Sequence, residues 1–341
     1  MTSVQTERPQ HAAVGLAISE DLPIRQHRLI ARTVEELGLA SLWTNEAQGR
    51  DALHLCHAWA TETTTLQLGI GVLPLWTRSP AQLAMAAATV QDASHNRLLL
   101  GVGVSHPATM GPWHGAAYRK PVTACREALE ILEQVFSGER TDYVGDVYRC
   151  ERFVLQMTPL PQRPPTYLAA MGPKMLALAG THADGVLLNW SDPNEVARAS
   201  TTIREAAERE GRDPHQIDIA AYVRVCVADK RDDAVAALAR ELSAYGRLEA
   251  YAAHFSRQGH GPALERAAEA KRAGADGYGL AEALGEETLA AFGWVGTPGD
   301  DPAPAVARWS EAGLTRFLAR VISVGDPASN IQQAARLFAA V

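Results

Sequence analysis

The stretch LLLGVGVSHP, residues 98–107, decides the fold, because it is an apolar run that ends in two glycines one residue apart. Two glycines at that spacing begin the dinucleotide-binding fingerprint, which requires a third glycine three residues later and a helix directly after it. His106 stands where the third glycine belongs, and we expect no helix before about Pro121. The stretch therefore predicts a buried strand over residues 97–104 that delivers Ser105 and His106 to a long loop. Small residues at the end of such a strand let a flat molecule approach the backbone.

The composition of the chain argues against several classes of protein. With 341 residues, 47% of them hydrophobic, the chain can bury a large core, and its net charge of −7 argues against a nucleic-acid partner. No apolar run reaches the roughly 18 residues of a membrane span. Residues 1–12 are polar and predict a flexible tail rather than a signal peptide. The four cysteines form no CxxC pair, which predicts a reducing cytoplasm and no structural zinc.

Short apolar runs alternate with helical segments along the rest of the chain. The predicted strands span residues 13–18, 41–45, 66–73, 97–104, 166–170, 185–189, 217–227 and 315–323. Their continuous apolar character is typical of buried parallel strands, and their alternation with helices indicates a parallel α/β fold. Eight such units favour a closed (β/α)8 TIM barrel over an open sheet. We expect one domain over residues 13–341, with insertions after strands four and seven; the second insertion is helical, over about residues 248–292.

In a barrel of this kind, the active site lies where the strands end in loops. The positions that follow the predicted strands therefore supply the candidate functional residues. They include Glu20, Glu46, Gly71, Ser105, His106, Met171, Asn189 and Trp190. Arg224, within the seventh strand, needs a partner if it is buried, either a cofactor phosphate or an aspartate. His54 and His57 share a helix face but have no third ligand, so we predict no metal site.

Several segments together resemble the bacterial-luciferase-like family, in particular its branch that uses the deazaflavin coenzyme F420. The segments are LWTNEAQGRDAL (42–53), GIGVLPLWTRSP (69–80), RLLLGVGVSHP (97–107), GPWHGAAYRKPVTACREALEIL (111–132), YLAAMGPKMLALAGTHADGVLLNW (167–190) and VGTPGDDPAPAVARWSEAGLTRFLARV (295–321). None is specific alone, but they occur in the order typical of the family. The resemblance implies a homodimeric barrel that transfers hydride at a flavin or deazaflavin ring.

The resemblance also implies where the cofactor binds. In GIGVLP, the Gly71–Val72 bond matches a non-proline cis peptide that supports the cofactor ring, and Ser105 is expected to line the same pocket. In the turn AAMGPKML, residues 171–174 (Met171, Gly172, Pro173 and Lys174) are the phosphate candidates, since a helix N-terminus with free N–H groups and a lysine favours an anion. The alternatives are a plain buried strand ending at Pro74 and an ordinary strand-helix turn.

Three residues are candidate acids or bases. Glu46 follows strand two, where alcohol- and sugar-oxidising relatives often carry Asp-His, so this chain lacks that imidazole. Histidine is the side chain suited to acid–base chemistry at neutral pH, which makes His106 a candidate, and Glu20 is a second possible proton donor. The alternatives are an ion pair of Glu46 with Arg50 and a purely structural role for His106.

Four residues are candidates for the substrate side of the pocket: Trp76, Trp113, Asn189 and Trp190. Trp113, together with His114 and Tyr118, can instead pack the long loop onto the barrel. We predict an F420-dependent oxidoreductase that reduces an activated C=C or C=N bond of a small organic molecule. The alternatives are an FMN-dependent monooxygenase, which would consume oxygen, and a non-catalytic flavin-binding protein.

Overall fold

The computed structural model describes residues 12–159 and 161–341, and it confirms the predicted (β/α)8 barrel. The strands are, in chain order, β1 (Ala13–Ala17), β2 (Ser41–Thr44), β3 (Gln67–Pro74), β4 (Leu98–Gly103), β5 (Thr141–Val144), β6 (Arg149–Phe153), β7 (Thr166–Ala169), β8 (Gly185–Asn189), β9 (Asp218–Val227), β10 (Gly293–Gly296) and β11 (Arg316–Ile322). The barrel order is β1-β2-β3-β4-β7-β8-β9-β11, and β11 pairs with β1 to close it. All of these pairings are parallel.

Helices follow the barrel strands and cover them from outside. They are α1 (Ile24–Glu36), α2 (Ala52–Ala60), α3 (Pro80–Ala93), α4 (Pro107–His114), α5 (Pro121–Phe136), α6 (Pro173–His182), α7 (Pro193–Arg209), α8 (Arg231–Tyr245), α9 (Glu249–Arg257), α10 (Gly261–Arg272), α11 (Gly277–Leu284), α12 (Glu286–Phe292), α13 (Ala303–Glu311) and α14 (Pro327–Phe338). Every residue of β4 is buried, as expected for a strand covered on both faces.

The two glycines of the opening stretch are required by the neighbouring strand. The pairing of β3 with β4 shifts register between Ile70 and Leu73, which we call the β3 bulge. A Cβ on Gly101 would lie 1.9 Å from the Ile70 carbonyl oxygen, and one on Gly103 would lie 2.9 Å from Val72 Cγ2. The glycines therefore allow β4 to pass close beside the bulge, and they do not cradle a dinucleotide.

Two elements differ from the sequence prediction. The chain becomes helical at Pro107, in α4, rather than at about Pro121. The sequence does carry a helix-start signal there: Pro107 occupies the first turn of α4, and the His106 side chain accepts a hydrogen bond from the Ala108 N–H. The helix that follows is only eight residues long. The strand β10 was not predicted; it pairs with β9 outside the closed barrel. The predicted tail lies, apart from Ala12, outside the described residues.

The two insertions have different structures. After β4 come α4 and, beyond α5, the antiparallel hairpin β5–β6. After β9 and α8, helices α9–α12 form what we call the helical insertion. It has its own apolar core, which includes Phe255 and Phe292 and receives Trp190 from the end of β8. No helix among the described residues is long and apolar enough to cross a membrane.

Candidate active site

A cavity of about 460 Å³ opens at the C-terminal ends of the barrel strands. This volume lies within the range of small-molecule sites. Nine of the residues singled out from the sequence line it: Glu46, Gly71, Val72, Ser105, His106, Trp113, Met171, Gly172 and Asn189. The strand ends thus bring together residues that are distant in the chain, as the barrel predicts.

Other candidates lie away from the cavity wall. Glu20 is buried and accepts a hydrogen bond from Asn45 Nδ2 at 2.8 Å, while Asn45 itself lines the cavity. Trp76 donates from Nε1 to the Val104 carbonyl at 2.8 Å and packs against Tyr118 at 5.1 Å between ring centroids. Tyr118 therefore packs its loop onto the end of β3, whereas Trp113 is 49% exposed and borders the cavity.

The β3 bulge forms one wall of the cavity. The Gly71–Val72 peptide bond is cis, as the resemblance implied. Tyr222, on β9, donates its hydroxyl to the Gly71 carbonyl oxygen at 2.9 Å across the barrel. Burial raises the pKa of Tyr222 well above its usual value, so it stays a donor. Sequence reasoning missed Tyr222, because nothing in the apolar run of β9 marks the residue that faces the bulge.

Two non-glycine residues at strand ends adopt the left-handed backbone region. Ser105 follows β4 with φ of 54°, and Trp190 follows β8 with φ of 53°. Such conformations cost free energy and cluster at functional sites. At β8 the turn separates two neighbours: Asn189 lines the cavity, while the Trp190 ring is buried in the core of the helical insertion. The structure therefore places Trp190 beside the pocket wall and not in the pocket.

Glu46 is fixed by an ion pair, but not with the partner expected from the sequence. Both of its oxygens accept from the Arg78 guanidinium, and Oε2 also accepts from the Ala52 N–H at 3.1 Å. Arg50 instead donates to the carbonyl oxygens of Glu20 and Asp21. Because both Glu46 oxygens accept hydrogen bonds, this geometry suits an acceptor-only carboxylate at the edge of the cavity.

The turn at residues 171–174 is open toward the cavity. A Cβ on Gly172 would have no heavy atom within 4 Å, and α6 begins there without a side-chain cap. Pro173 has no N–H group and the Met175 N–H donates to the Gly172 carbonyl oxygen at 3.0 Å, so the Lys174 N–H and the positive end of the helix dipole are what would favour an anion here. Pro173 and Lys174 are exposed at the start of α6, behind the lining residues Met171 and Gly172.

The opposite wall comes from α8 and the helical insertion. Tyr245, Leu248, Ala250 and Tyr251 line the cavity there; the segment from residue 248 was expected to close over the pocket, but none of these four was singled out as a site residue. Arg224 lies behind this wall, buried, with Nε 3.1 Å from Glu241 Oε1 and its guanidinium 3.8 Å above the Trp190 ring. The partner is a carboxylate, as one of the two alternatives had it, but it belongs to Glu241 and not to an aspartate.

Among the described residues, no group of three or more histidine, cysteine, aspartate or glutamate side chains could hold a metal ion. His54 and His57 are both exposed on α2. All four cysteines are buried and free.

The fold and the cavity together define a (β/α)8-barrel protein with a cavity of small-molecule size at the mouth of the barrel. Residues 3–316 match the family described as luciferase-like monooxygenase, and the chain belongs to that family. It is 29% identical over 311 residues to 5,10-methylenetetrahydromethanopterin reductase from Methanolobus tindarius, covering 89% of this chain and 93% of that protein.

Two further relatives extend this picture. A putative coenzyme F420-dependent oxidoreductase from Mycobacterium tuberculosis is 31% identical over 237 residues, which cover 65% of this chain and 68% of that protein. Among solved structures, the F420-dependent tetrahydromethanopterin reductase from Methanopyrus kandleri superposes with a TM-score of 0.80 at 24% identity, covering 96% of this chain and 98% of that one. This likeness supports the fold.

Proposed function

We propose that this chain is an oxidoreductase that transfers hydride between reduced F420 and a small organic substrate, and that it reduces an activated C=C or C=N bond. The observation that carries the proposal is the Gly71–Val72 bulge, which lines the same cavity as the uncapped start of α6. The F420-dependent relatives support the choice of cofactor.

The residues present fit such a cofactor. The β3 bulge and Ser105 supply a backbone wall for a flat ring, and the open space at Gly172 leaves room for a phosphate at the start of α6. We propose that Met171, Gly172, Pro173 and Lys174 hold that phosphate. When bound, reduced F420 would supply the hydride, that is, two electrons and one proton.

The remaining candidates act on the substrate side. We propose that Trp113 and Asn189 border the substrate and that His106 exchanges a proton with it, since His106 lines the cavity and is its one histidine among the described residues. The Glu46 carboxylate lies at the edge of the cavity and is held in place by Arg78. Glu20 orients Asn45 through the hydrogen bond to its amide.

The direction of the reaction rests on the residues after β2. Asn45 and Glu46 stand where alcohol-oxidising relatives often carry Asp-His, and Glu46 is tied to Arg78. A carboxylate held in this way is a poor substitute for an imidazole base, so we favour reduction.

We also propose that residues 13–341 form one functional domain and that the protein is a homodimer. We propose a cytoplasmic location as well, and the four free cysteines support that location.

A binding titration tests this function. We expect F420 to bind with micromolar affinity and FMN to bind much more weakly, with fluorescence as the readout. Lys174→Ala should weaken F420 binding roughly fivefold, because one cation near the phosphate contributes about 1 kcal/mol. Lys271→Ala, an exposed change on α10, is the matched control. A preference for FMN, with oxygen uptake by the reduced flavin, would instead favour a monooxygenase.

A further inference from the structure

Tyr251 brings the helical insertion into the candidate active site. It lies on α9 and lines the cavity, and its hydroxyl oxygen lies 2.8 Å from Asn189 Nδ2. Asn189 also lines the cavity, from the end of β8. A contact between a barrel strand and the insertion thus forms part of the pocket wall.

The orientation of the Asn189 amide is fixed by Arg224. A guanidinium can only donate hydrogen bonds, so the amide atom that contacts Arg224 Nη1 must be the oxygen, Oδ1. Arg224 is itself held by Glu241 and by stacking on Trp190. The amide nitrogen of Asn189 is therefore turned toward Tyr251.

This orientation determines the role of the Tyr251 hydroxyl. Since Asn189 Nδ2 donates, the Tyr251 oxygen accepts, and its proton is left for another partner. No described residue accepts that proton. Burial raises the pKa of Tyr251 to about 12, so the hydroxyl keeps its proton at neutral pH. The cavity wall thus presents the Tyr251 hydroxyl as a hydrogen-bond donor.

The charges around the cavity indicate what this donor contacts. No lysine or arginine occurs among the described residues that line it, and Glu46 is paired with Arg78. The other walls are largely apolar side chains, such as Val72, Leu187 and Leu248. Away from the turn at residues 171–174, an anionic substrate would lose hydration here without gaining a cation from the cavity lining.

We propose that Tyr251 is a specificity-determining hydrogen-bond donor, and that it selects an uncharged, mainly apolar substrate with a carbonyl oxygen or imine nitrogen as part of the reducible group. This inference rests on the proposed function for its reducible group. Tyr251 is fixed for this task by the Arg224–Asn189 pair. A site built around a buried donor discriminates strongly against analogues that lack the acceptor.

Two matched probes test the proposal: cyclohex-2-en-1-one and 3-methylidenecyclohexene, which carries C=CH2 in place of C=O. Their dissociation constants are measured by ligand-observed NMR with the protein alone and with oxidised F420. We expect the wild type to bind the enone about tenfold more tightly than the diene. Tyr251→Phe should bring this ratio close to one while leaving the diene affinity unchanged.

Asn189→Asp separates hydrogen bonding from bulk. The new carboxylate would accept the Tyr251 proton, so the ratio should fall even though the hydroxyl remains. Tyr278→Phe, at an exposed tyrosine of the same insertion, is the control and should leave the ratio unchanged. The proposal would be overturned by an unchanged affinity ratio in Tyr251→Phe or by an equal loss of affinity for both probes in that variant. It would also be overturned if the wild type bound neither probe.

The same samples are titrated with F420. Failure of the wild type to bind F420 would overturn the proposed function, while the probe ratio in the cofactor-free protein would still decide the role of Tyr251. We expect Tyr278→Phe to bind F420 as the wild type does.

Discussion

Tyr222 is the residue that connects the core of the barrel to the candidate cofactor wall. Its ring belongs to a small buried cluster inside the barrel with Trp43 and Tyr167, and its hydroxyl donates to the Gly71 carbonyl oxygen. A Cβ on Gly71 would lie 2.3 Å from that hydroxyl oxygen. The bulge and the tyrosine therefore fit each other closely, and a change in one displaces the other.

We expect Tyr222→Phe to weaken F420 binding roughly tenfold, because the Gly71 carbonyl loses the donor that fixes the bulge. The free energy of unfolding should fall by about 1 to 2 kcal/mol, the cost of one buried hydrogen bond. Fluorescence titration and urea unfolding measure the two effects. Tyr167→Phe is the control: that hydroxyl donates to Asp218 Oδ2 at 2.5 Å, and Tyr167 does not line the cavity. Equal loss of F420 affinity in both variants would contradict the assignment.

At the scale of elements, the pairing of β3 with β4 places the cofactor wall. The β3 bulge is accommodated because β4 presents glycines beside it. The two strands and the α4 helix that follows β4 then supply one side of the cavity, and α8, Leu248 and α9 supply the other. The helical insertion is therefore part of the site as well as a cover for the barrel.

We expect Gly101→Ala to lower the free energy of unfolding by about 3 kcal/mol, because its Cβ would overlap the Ile70 carbonyl oxygen in a packed barrel. Urea unfolding measures the change. Gly111→Ala, in α4, is the matched control: a Cβ there has no heavy atom within 4 Å, and alanine favours a helix. The explanation would be wrong if the two variants were equally stable.

At the scale of the whole molecule, buried histidines couple the fold to pH. His27 on α1 packs against Trp59 on α2, with ring centroids 5.8 Å apart, and His254 on α9 contacts Ser191 after β8. Burial, followed by the charge of Arg50, lowers the pKa of His27 to about 4. Burial, followed by the charge of Arg257, lowers the pKa of His254 to about 4.

These shifts make the protein less stable in mild acid. Both folded pKa values lie below the ordinary value of 6.5, so the unfolded chain binds more protons between pH 6.5 and pH 4. The stabilisation is complete above about pH 6.5 and is lost as the pH falls toward 4. Each histidine should account for about 2 kcal/mol of lost stability between pH 7.5 and pH 5.

Urea unfolding at pH 7.5 and pH 5 measures this loss of unfolding free energy. In His27→Leu the loss between the two pH values should be about 2 kcal/mol smaller than in the wild type, because one of the two histidine contributions is gone. Any effect of the substitution on stability at pH 7.5 cancels in this difference. His57→Gln, at an exposed histidine of α2, is the control. The same pH dependence in His27→Leu and in the wild type would show that His27 does not carry the effect.

The sequence by itself determined the order of strands and helices, the closed barrel and the strand-helix turn at Gly172, whereas the cis bond at Gly71–Val72 was implied by the family resemblance and by no local pattern. Continuous apolar runs, helix-starting prolines and glycines are local signals, because they reflect burial and backbone conformation at the residues that carry them. The short helix α4 and the strand β10 were missed, since eight and four residues give little periodicity.

Only the tertiary structure decided which side chains face the cavity. Asn189 and Trp190 are adjacent, yet the backbone turn at Trp190 sends one to the pocket and the other to the insertion core. Glu46 pairs with Arg78 rather than Arg50, and Tyr251 reaches the site from the insertion. These outcomes depend on distances between elements that are far apart in the chain, and closure of the barrel, not any local pattern, sets those distances.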